Sequence, residues 1–189
     1  MEKIRKTIVK REQFPTKEEW RIRAFPKGTV DLSAYVDARD PGGRWAIKGQ
    51  MILPNSPPVA VIGGTNLIVS VGKYLVGDIL IDVAGYDTGL TYHAIGSDNT
   101  APVIADTTLT VEESRKAVTT KSRLLNVITY STFFTAAEST YNIKESGIFG
   151  HSTASGVADS GILFSHYLAA FDNSLGTYDL TYDYILTIG

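Results

Sequence analysis

Three histidines are the side chains in this sequence best suited to acid–base or metal chemistry near neutral pH. His93 and His166 fall in segments with strand-like alternation, and His151 lies in a stretch rich in Gly and Ser. The sequence has no His-x-His or His-Glu-x-x-His spacing, so a metal site would need distant ligands to converge. We interpret all three histidines as structural or surface residues, and we predict no metal site.

Serine nucleophiles need a neighbouring base and an orienting group, and the sequence pattern offers neither. Ser155-Gly156 and Ser160-Gly161 have loop character, but the Gly-x-Ser-x-Gly pattern of a nucleophile elbow is missing. The segment 63–66, Gly-Gly-Thr-Asn, lacks the lysine and the following helix of a phosphate loop, and it indicates a tight turn. We therefore predict a protein that is not an enzyme, with no catalytic residues and no cofactor.

Carboxylates and aromatic rings offer two further kinds of site. Asp78, Asp82 and Asp87 lie close together in the sequence, but they lack the spacing of a calcium-binding loop. The aromatic residues of the C-terminal half have the composition of a sugar-binding platform, but they stand at positions that favour a β-sandwich core. They are Tyr130, Phe133, Phe134, Tyr141, Phe149, Phe164, Tyr167 and Phe171.

The composition is that of a folded protein built largely from strands. Apolar residues make up 43% and charged residues 20% of the 189 residues, which are ordinary values for a globular chain. There is no cysteine, so disulfides, thiol catalysis and Cys-ligated metals are excluded. No apolar run approaches the roughly 18 residues of a membrane span, and no apolar core of a signal peptide follows the basic N-terminus. We expect a protein made without secretion.

Residues 1–50 predict an extended N-terminal arm with one short helix. Residues 1–27 carry nine Lys and Arg against four Glu, a balance of +5, although the net charge of the chain is −2. Such an excess is typical either of an arm that meets an acidic surface or of a solvated terminus. Thr16 and Glu19 have the spacing of a capping box, which predicts a helical turn. Five aromatic residues are candidate docking anchors of this arm: Phe14, Trp20, Phe25, Tyr35 and Trp45.

Residues 51–189 predict an antiparallel β-sandwich, jelly-roll-like or Ig-like. From Leu67 onward, strand patterns follow one another at short spacing and turn residues separate most of them. The predicted strands are 67–71, 79–84, 90–95, 115–119, 125–134, 142–149, 161–169 and 178–188, preceded by a short strand at 59–62. A short helix is expected at 106–113, where Asp106 is a suitable N-cap.

The last predicted strand has the clearest alternation. Its even-numbered residues from Tyr178 to Ile188 are apolar, so we place them on the core face. Asp179 and Asp183 are then expected on the solvent face, and a slip of one residue would bury both carboxylates.

The stretch from Thr91 to Pro102 joins a strand pattern to a turn-rich loop. Thr91, His93 and Ile95 alternate with their neighbours, and the residues that follow favour a turn. The candidate exposed loop, available to a partner or a host surface, consists of Gly96, Ser97, Asp98 and Asn99.

Four motifs follow one another in a fixed order between residues 88 and 189. They are Tyr92-His-Ala-Ile-Gly-Ser-Asp-Asn-Thr-Ala-Pro102, Asp106-Thr-Thr-Leu109, Ile143-Lys-Glu-Ser-Gly-Ile-Phe149 and Ser160-Gly-Ile-Leu-Phe-Ser-His166. This order resembles a module of structural proteins of tailed bacteriophages, which occurs in tail-fibre, baseplate and capsid-surface proteins. Residues 1–87 carry no such resemblance.

The resemblance implies a virion protein that is assembled in the host cytoplasm. Its partners would be other virion proteins of the capsid or tail and its own copies, with a trimer as one arrangement. We expect no nucleic-acid partner, because no basic patch interleaved with aromatic residues occurs beyond the arm, and no membrane partner, because no apolar run is long enough to span one. The arm would dock on the capsid, as a decoration protein does, or on the tail. The alternative is a tail-fibre or receptor-binding module that contacts a glycan or protein of the host surface.

Overall fold

The computed structural model describes residues 16–30, 37–39, 45–48, 57–81, 83 and 89–188. Within these ranges the chain forms twelve strands and one helix. The strands are β1 (Thr16–Pro26), β2 (Asp37–Arg39), β3 (Trp45–Lys48), β4 (Ala60–Thr65), β5 (Leu67–Ile68), β6 (Leu90–Gly96), β7 (Glu112–Ala117), β8 (Thr120–Leu124), β9 (Val127–Phe134), β10 (Asn142–Gly150), β11 (Ile162–Asp172) and β12 (Tyr178–Ile188). The helix is α1 (Ser70–Leu80).

Two antiparallel sheets pack against each other, which confirms the predicted β-sandwich. The larger sheet has seven strands in the order β2-β3-β8-β9-β12-β1-β4, and the smaller has five in the order β5-β11-β10-β6-β7. Aromatic rings meet between the sheets. Trp20 stacks on Tyr167 with ring centroids 5.1 Å apart, and Phe164 meets Tyr184 edge-on at 6.0 Å. Each such pair contributes about 0.5–1.5 kcal/mol beyond the burial of its area.

Most strands from residue 90 onward lie where the alternation placed them. The predictions at 90–95, 115–119, 125–134, 142–149, 161–169 and 178–188 correspond to β6, β7, β9, β10, β11 and β12. The aromatic residues assigned to the core are also there. Phe133, Phe134, Phe149, Phe164 and Tyr167 are buried, and Tyr130, Tyr141 and Phe171 are partly buried against the core.

Residues 16–26 correct the predicted arm, because they form a strand inside the larger sheet. β1 pairs with β12 over all 11 of its residues and with β4 on its other side. Trp20, Ile22 and Ala24 alternate along β1 and are buried. This alternation outweighs the capping-box spacing of Thr16 and Glu19, so the predicted helical turn is wrong. Pairing of β1 with β4 also crosses the predicted arm boundary at residue 50.

The chain crosses from the larger sheet to the smaller one at Asn66, between β4 and β5. The tight turn predicted at 63–66 is wrong, because Gly63 and Gly64 lie within β4. A Cβ on Gly63 would lie 2.6 Å from the carbonyl oxygen of Trp20, and one on Gly64 would lie 3.3 Å from the Trp20 indole. The glycines therefore allow β1 to approach closely. Asn66 Nδ2 fixes the corner by donating to Ser165 Oγ at 2.9 Å.

β5 confirms the start of the strand predicted at 67–71, but the helix α1 replaces its end and also includes residues 79 and 80 of the strand predicted at 79–84. It packs on β11, because a Cβ on Gly72 would collide with the backbone of Phe164 and because Leu75 is 1% exposed. Its N-cap, Val69, makes no side-chain capping bond, so the sequence gives no start signal there. The helix predicted at 106–113 is also wrong, since this segment is a loop that leads into β7.

Both faces of β12 are buried, which corrects the predicted solvent face. Asp179 is 3% exposed and Asp183 is 4% exposed. Asp183 forms an ion pair with Arg23 at 2.9 Å and accepts a hydrogen bond from Ser131 Oγ at 2.7 Å. Asp179 accepts backbone N–H groups from the turn after β1 and the turn after β9. These partners offset the cost of removing the carboxylates from water.

Candidate functional site

Three ionisable side chains meet on the outer face of the smaller sheet, beneath the loop that joins β6 to β7. Asp106 Oδ2 lies 2.8 Å from His166 Nδ1, and Glu145 Oε2 lies 2.9 Å from His166 Nε2. The His166 side chain is 1% exposed and the Glu145 side chain is 0% exposed. Each ring nitrogen of His166 is thus within hydrogen-bond distance of one carboxylate. We call this cluster of Asp106, Glu145 and His166 the loop anchor.

The loop anchor holds the 97–111 loop against the sheet. Glu145 accepts the backbone N–H groups of Thr110 at 3.0 Å and of Val111 at 2.7 Å. A Cβ on Gly96 would lie 2.6 Å from Glu145 Oε1, so Gly96 and Glu145, both in motifs identified from the sequence, fit together in space. Both carboxylate oxygens of Glu145 thus accept hydrogen bonds from loop N–H groups, and the chemistry they support is attachment of the loop.

A second buried charge pair lies beside it on β7. Arg115 donates two hydrogen bonds to Glu112, of 2.7 and 2.6 Å, and the two side chains are 1% and 4% exposed. The guanidinium also lies 3.9 Å from the centre of the Phe149 ring and donates to the carbonyl oxygen of Ser160 at 2.5 Å. Arg115 thereby ties the loop after β10 to the β7 side of the sheet.

A polar cluster lies inside the sandwich. His93 Nε2 is 2.6 Å from Tyr167 Oη and 3.0 Å from Ser146 Oγ, and Ser146 Oγ donates to the carbonyl oxygen of Ala94 at 2.7 Å. Burial lowers the pKa of His93 to about 3 and raises the pKa of Tyr167. The imidazole is therefore neutral near pH 7, and its Nδ1 has no hydrogen-bond partner among the described residues.

A cleft of about 700 Å³ opens between β4 of the larger sheet and β11 of the smaller sheet. β5 pairs with β11 only at Ser165 and His166. Beyond that point, no described strand pairs with this side of β11. The cleft therefore lies on a side where the described part of the chain joins the two sheets only at the Asn66 corner. Its lining consists of Trp20, Ile62, Gly63, Asn99, Asn142, Ile143, Lys144, Leu168, Ala170, Phe171 and Asp172.

The outer edge of β4, beside this cleft, carries no charge. β4 is the last strand of the larger sheet among the described residues, and Val59 and Val61 are each 55% exposed. No Asp, Glu, Lys or Arg occurs between Lys48 and Lys73. Natural sheets usually protect an edge with charged residues, proline or a bulge, because an unprotected edge pairs with other strands. The β4 edge has the properties of a pairing surface.

The four residues of the candidate exposed loop differ in exposure. Gly96 is buried at the end of β6, which corrects its assignment; Ser97 and Asp98 are partly buried and Asn99 is exposed. Ser97 Oγ donates to Glu113 at 2.6 Å. Asp98 accepts a hydrogen bond from the backbone of Thr100 at 2.7 Å, and its hydrogen bonds with Thr100 lower the pKa of the Asp98 carboxyl. Asn99 lies at the rim of the cleft.

Two of the five predicted docking anchors are core residues. Trp20 is 7% exposed and Phe25 is 1% exposed, so neither side chain is available to another protein, and their assignment as anchors is wrong. The strand alternation of β1, which the arm prediction overlooked, explains their burial. Phe14 and Tyr35 lie outside the described residues. Trp45 begins β3, and its side chain is not among those described.

The sequence analysis did not identify Glu145, Glu112 or Arg115 as buried residues. For Glu145 a signal existed, because it stands within a strand in which small and apolar residues predominate. A charged residue in that register predicts a buried partner. Glu112 and Arg115 are three residues apart in a charged segment, which favoured solvent exposure, and no local signal identified their burial.

Two findings limit the kinds of site in the described part of the chain. No group of three or more His, Asp or Glu side chains there is arranged to hold a metal ion. No helix in the same residues combines the length and the apolar character that crossing a membrane requires.

Comparisons with protein-family profiles, with curated proteins and with solved structures found no match to this chain. The resemblance to tailed-phage structural proteins therefore depends on the ordered motifs between residues 88 and 189.

Proposed function

We propose that the protein is a non-enzymatic structural component of a tailed-phage virion, docked on capsid or tail proteins and assembled in the host cytoplasm. The observation that supports a structural role is the open side of the sandwich, where an uncharged edge strand borders the cleft. An unprotected edge suits a protein that associates with other chains. The order of motifs from residue 88 to 189 is the support for a phage particle.

Docking through the N-terminal arm is now proposed for residues 1–15 only, because β1 begins at Thr16. These residues carry five Lys and Arg against two Glu. A basic segment of this kind is attracted to an acidic surface on a neighbouring protein. A longer deletion would remove β1 from between β12 and β4 and would unfold the larger sheet.

Deletion of residues 1–15 tests the proposed arm. The truncated chain should keep the circular dichroism and melting temperature of the full chain, but it should be lost from purified particles in a complementation assay. A control chain replaces the five basic residues with Gln at full length, and it should show the same loss if charge drives docking. Normal incorporation of the folded truncation would overturn docking through the arm.

The host-binding alternative is favoured by the rim of the cleft. Asn99, Asn142, Lys144 and Asp172 line the cleft together with apolar residues, and amide and charged groups can form hydrogen bonds with a sugar. Binding of the purified full chain to host cells or glycans, lost in Asn142→Ala, would support this function. Asn126→Ala is a matched control, because Asn126 lies in the exposed turn between β8 and β9.

A further inference from the structure

The edge of β4 is compatible with a second copy of itself. A two-fold contact requires that one surface fit the same surface on another chain. The sequence contains no Asp, Glu, Lys or Arg between Lys48 and Lys73. Pairing of β4 with its own copy would therefore neither desolvate a charged side chain nor place two like charges opposite each other. The charge requirement for self-pairing is therefore met along the whole strand.

The side chains of β4 are also complementary in size when the strand is paired antiparallel with its own copy. If the two-fold axis passes through Ile62, Val61 of one chain faces Gly63 of the other, and Val59 faces Thr65. Residues directly opposite each other in such a pair lie on the same face, with Cβ atoms about 4.5–5.5 Å apart. The position of Gly63 cannot hold a side chain without moving β1, because its Cβ would lie 2.6 Å from the carbonyl oxygen of Trp20. The exposed valine thus meets a space that the fold keeps empty.

The cleft provides room for the second strand on the inner side. Ile62 lines the cleft, and so the Ile62 side chain of a second copy would enter it beside the first. The opposite edge of the sandwich differs, because β7 carries Glu112, Glu113, Arg115 and Lys116 within six residues.

We propose that β4 pairs antiparallel with β4 of a second copy across a two-fold axis at Ile62, which joins the larger sheets of two chains into one continuous sheet. This inference names one self-contact of the proposed structural protein. The test uses the purified full chain. Failure of this inference would therefore not affect the particle-incorporation experiment, and failure of that experiment would not affect this inference.

Cysteine cross-linking tests the axis directly, because the chain contains no cysteine of its own. Paired residues at the axis have Cα atoms within the range of about 4.4–6.8 Å that a disulfide spans. Ile62→Cys should therefore form a disulfide-linked dimer under mild oxidation faster than Val59→Cys. It should also react faster than Leu175→Cys, a control in a turn where Leu175 is 90% exposed. Equal rates for positions 62 and 175 would overturn the proposal.

Sedimentation equilibrium provides the second measurement and does not depend on oxidation. The full chain should dimerise, and Val61→Lys should raise the dimer dissociation constant roughly tenfold or more, because two valine–glycine pairs are lost and two lysines lie diagonally across the axis. Leu175→Lys should leave the dissociation constant unchanged, and circular dichroism should show that both variants are folded. A full chain that is monomeric at its solubility limit, or equal dissociation constants for both variants, would overturn the proposal.

Discussion

The outer face of the smaller sheet and the β4 edge use charge in opposite ways. On the outer face, Glu145, His166, Glu112 and Arg115 are buried and bonded to one another or to loop backbone. On the β4 edge, the strand has no charged residue, and the side chains of Val61 and Thr65 are exposed. One side is fixed by partners from its own chain, whereas the other has open backbone and apolar surface beside a cleft.

The outer face of the smaller sheet is thus closed by contacts within the chain, whereas the β4 edge is left free to contact another chain. A buried carboxylate has to find several donors at once, and the β6–β7 loop supplies them only in one position. The outer face of the smaller sheet should consequently be rigid and contribute much to stability. The outer side of the β4 edge should contribute little to the free energy of unfolding and should instead affect association with other chains.

Glu145→Gln should cause the largest loss of stability. The variant keeps the size of the side chain but turns one acceptor into a donor, which then faces either His166 or the loop N–H groups. Leaving a buried donor without its acceptor typically costs about 1–3 kcal/mol, and Glu145 contacts three such groups, the N–H groups of Thr110 and Val111 and the His166 ring. Urea unfolding should show this loss, and hydrogen exchange at Thr110 and Val111 should accelerate. Glu113→Gln is the matched control, since Glu113 is only half-buried. A loss no greater than that of the control would show that the loop anchor does not stabilise the fold.

His93 should make stability depend on pH. Burial lowers its pKa to about 3 in the folded protein, whereas a histidine in an unfolded chain titrates near about 6.5. Above this value the imidazole is neutral in both states and adds no pH dependence. As the pH falls from 6.5 towards 3, the unfolded chain takes up a proton that the folded chain does not, so the free energy of unfolding decreases.

The effect of His93 at pH 4 should be about 3 kcal/mol, from about 1.4 kcal/mol per pH unit. The measurement compares urea unfolding at pH 7 and pH 4 for the native sequence and for His93→Gln. The variant should lose less stability between the two pH values, because Gln does not titrate. Parallel pH profiles would mean that His93 has an ordinary pKa and is reached by water.

The sequence predicted a segment correctly where its own residue pattern determined the conformation, and failed where a distant partner determined it. The strands from β9 to β12 were predictable, because apolar residues recur within each strand and segments rich in turn residues separate them. β1 was misread because a capping box needs only Thr16 and Glu19, whereas the pairing that decides its conformation comes from β12 at the other end of the chain.

The buried charges could not be placed for the same reason. Asp183 alternates with tyrosines, which predicted a solvent face, but its partner Arg23 lies 160 positions away in the sequence. The helix α1 was missed because its valines and isoleucine favour strands, and because Gly72, which lets it lie against β11, is a weak helix former. Local propensity fails where a distant strand supplies the deciding contact.

Gly63→Ala should cause a loss of stability between those of Glu145→Gln and Val61→Thr. The added Cβ would lie 2.6 Å from the carbonyl oxygen of Trp20, so β1 and β4 have to separate, at a cost of about 1–3 kcal/mol. Thermal unfolding should show the loss, and Gly156→Ala should show none, because a Cβ there has no neighbour within 4 Å. Equal melting temperatures for the two variants would mean that β4 shifts freely at the edge.

Val61→Thr should have the smallest effect on the stability of the fold. Val61 is 55% exposed on the last strand of the larger sheet, and both residues are β-branched with similar strand propensity. The free energy of unfolding at low protein concentration should therefore change by less than about 0.5 kcal/mol. Phe164→Leu on the buried side of β11 provides the comparison, because Phe164 is 2% exposed. If Val61→Thr cost as much as this core substitution, the β4 edge would be a stabilising part of the fold, and the difference between the two sides would disappear.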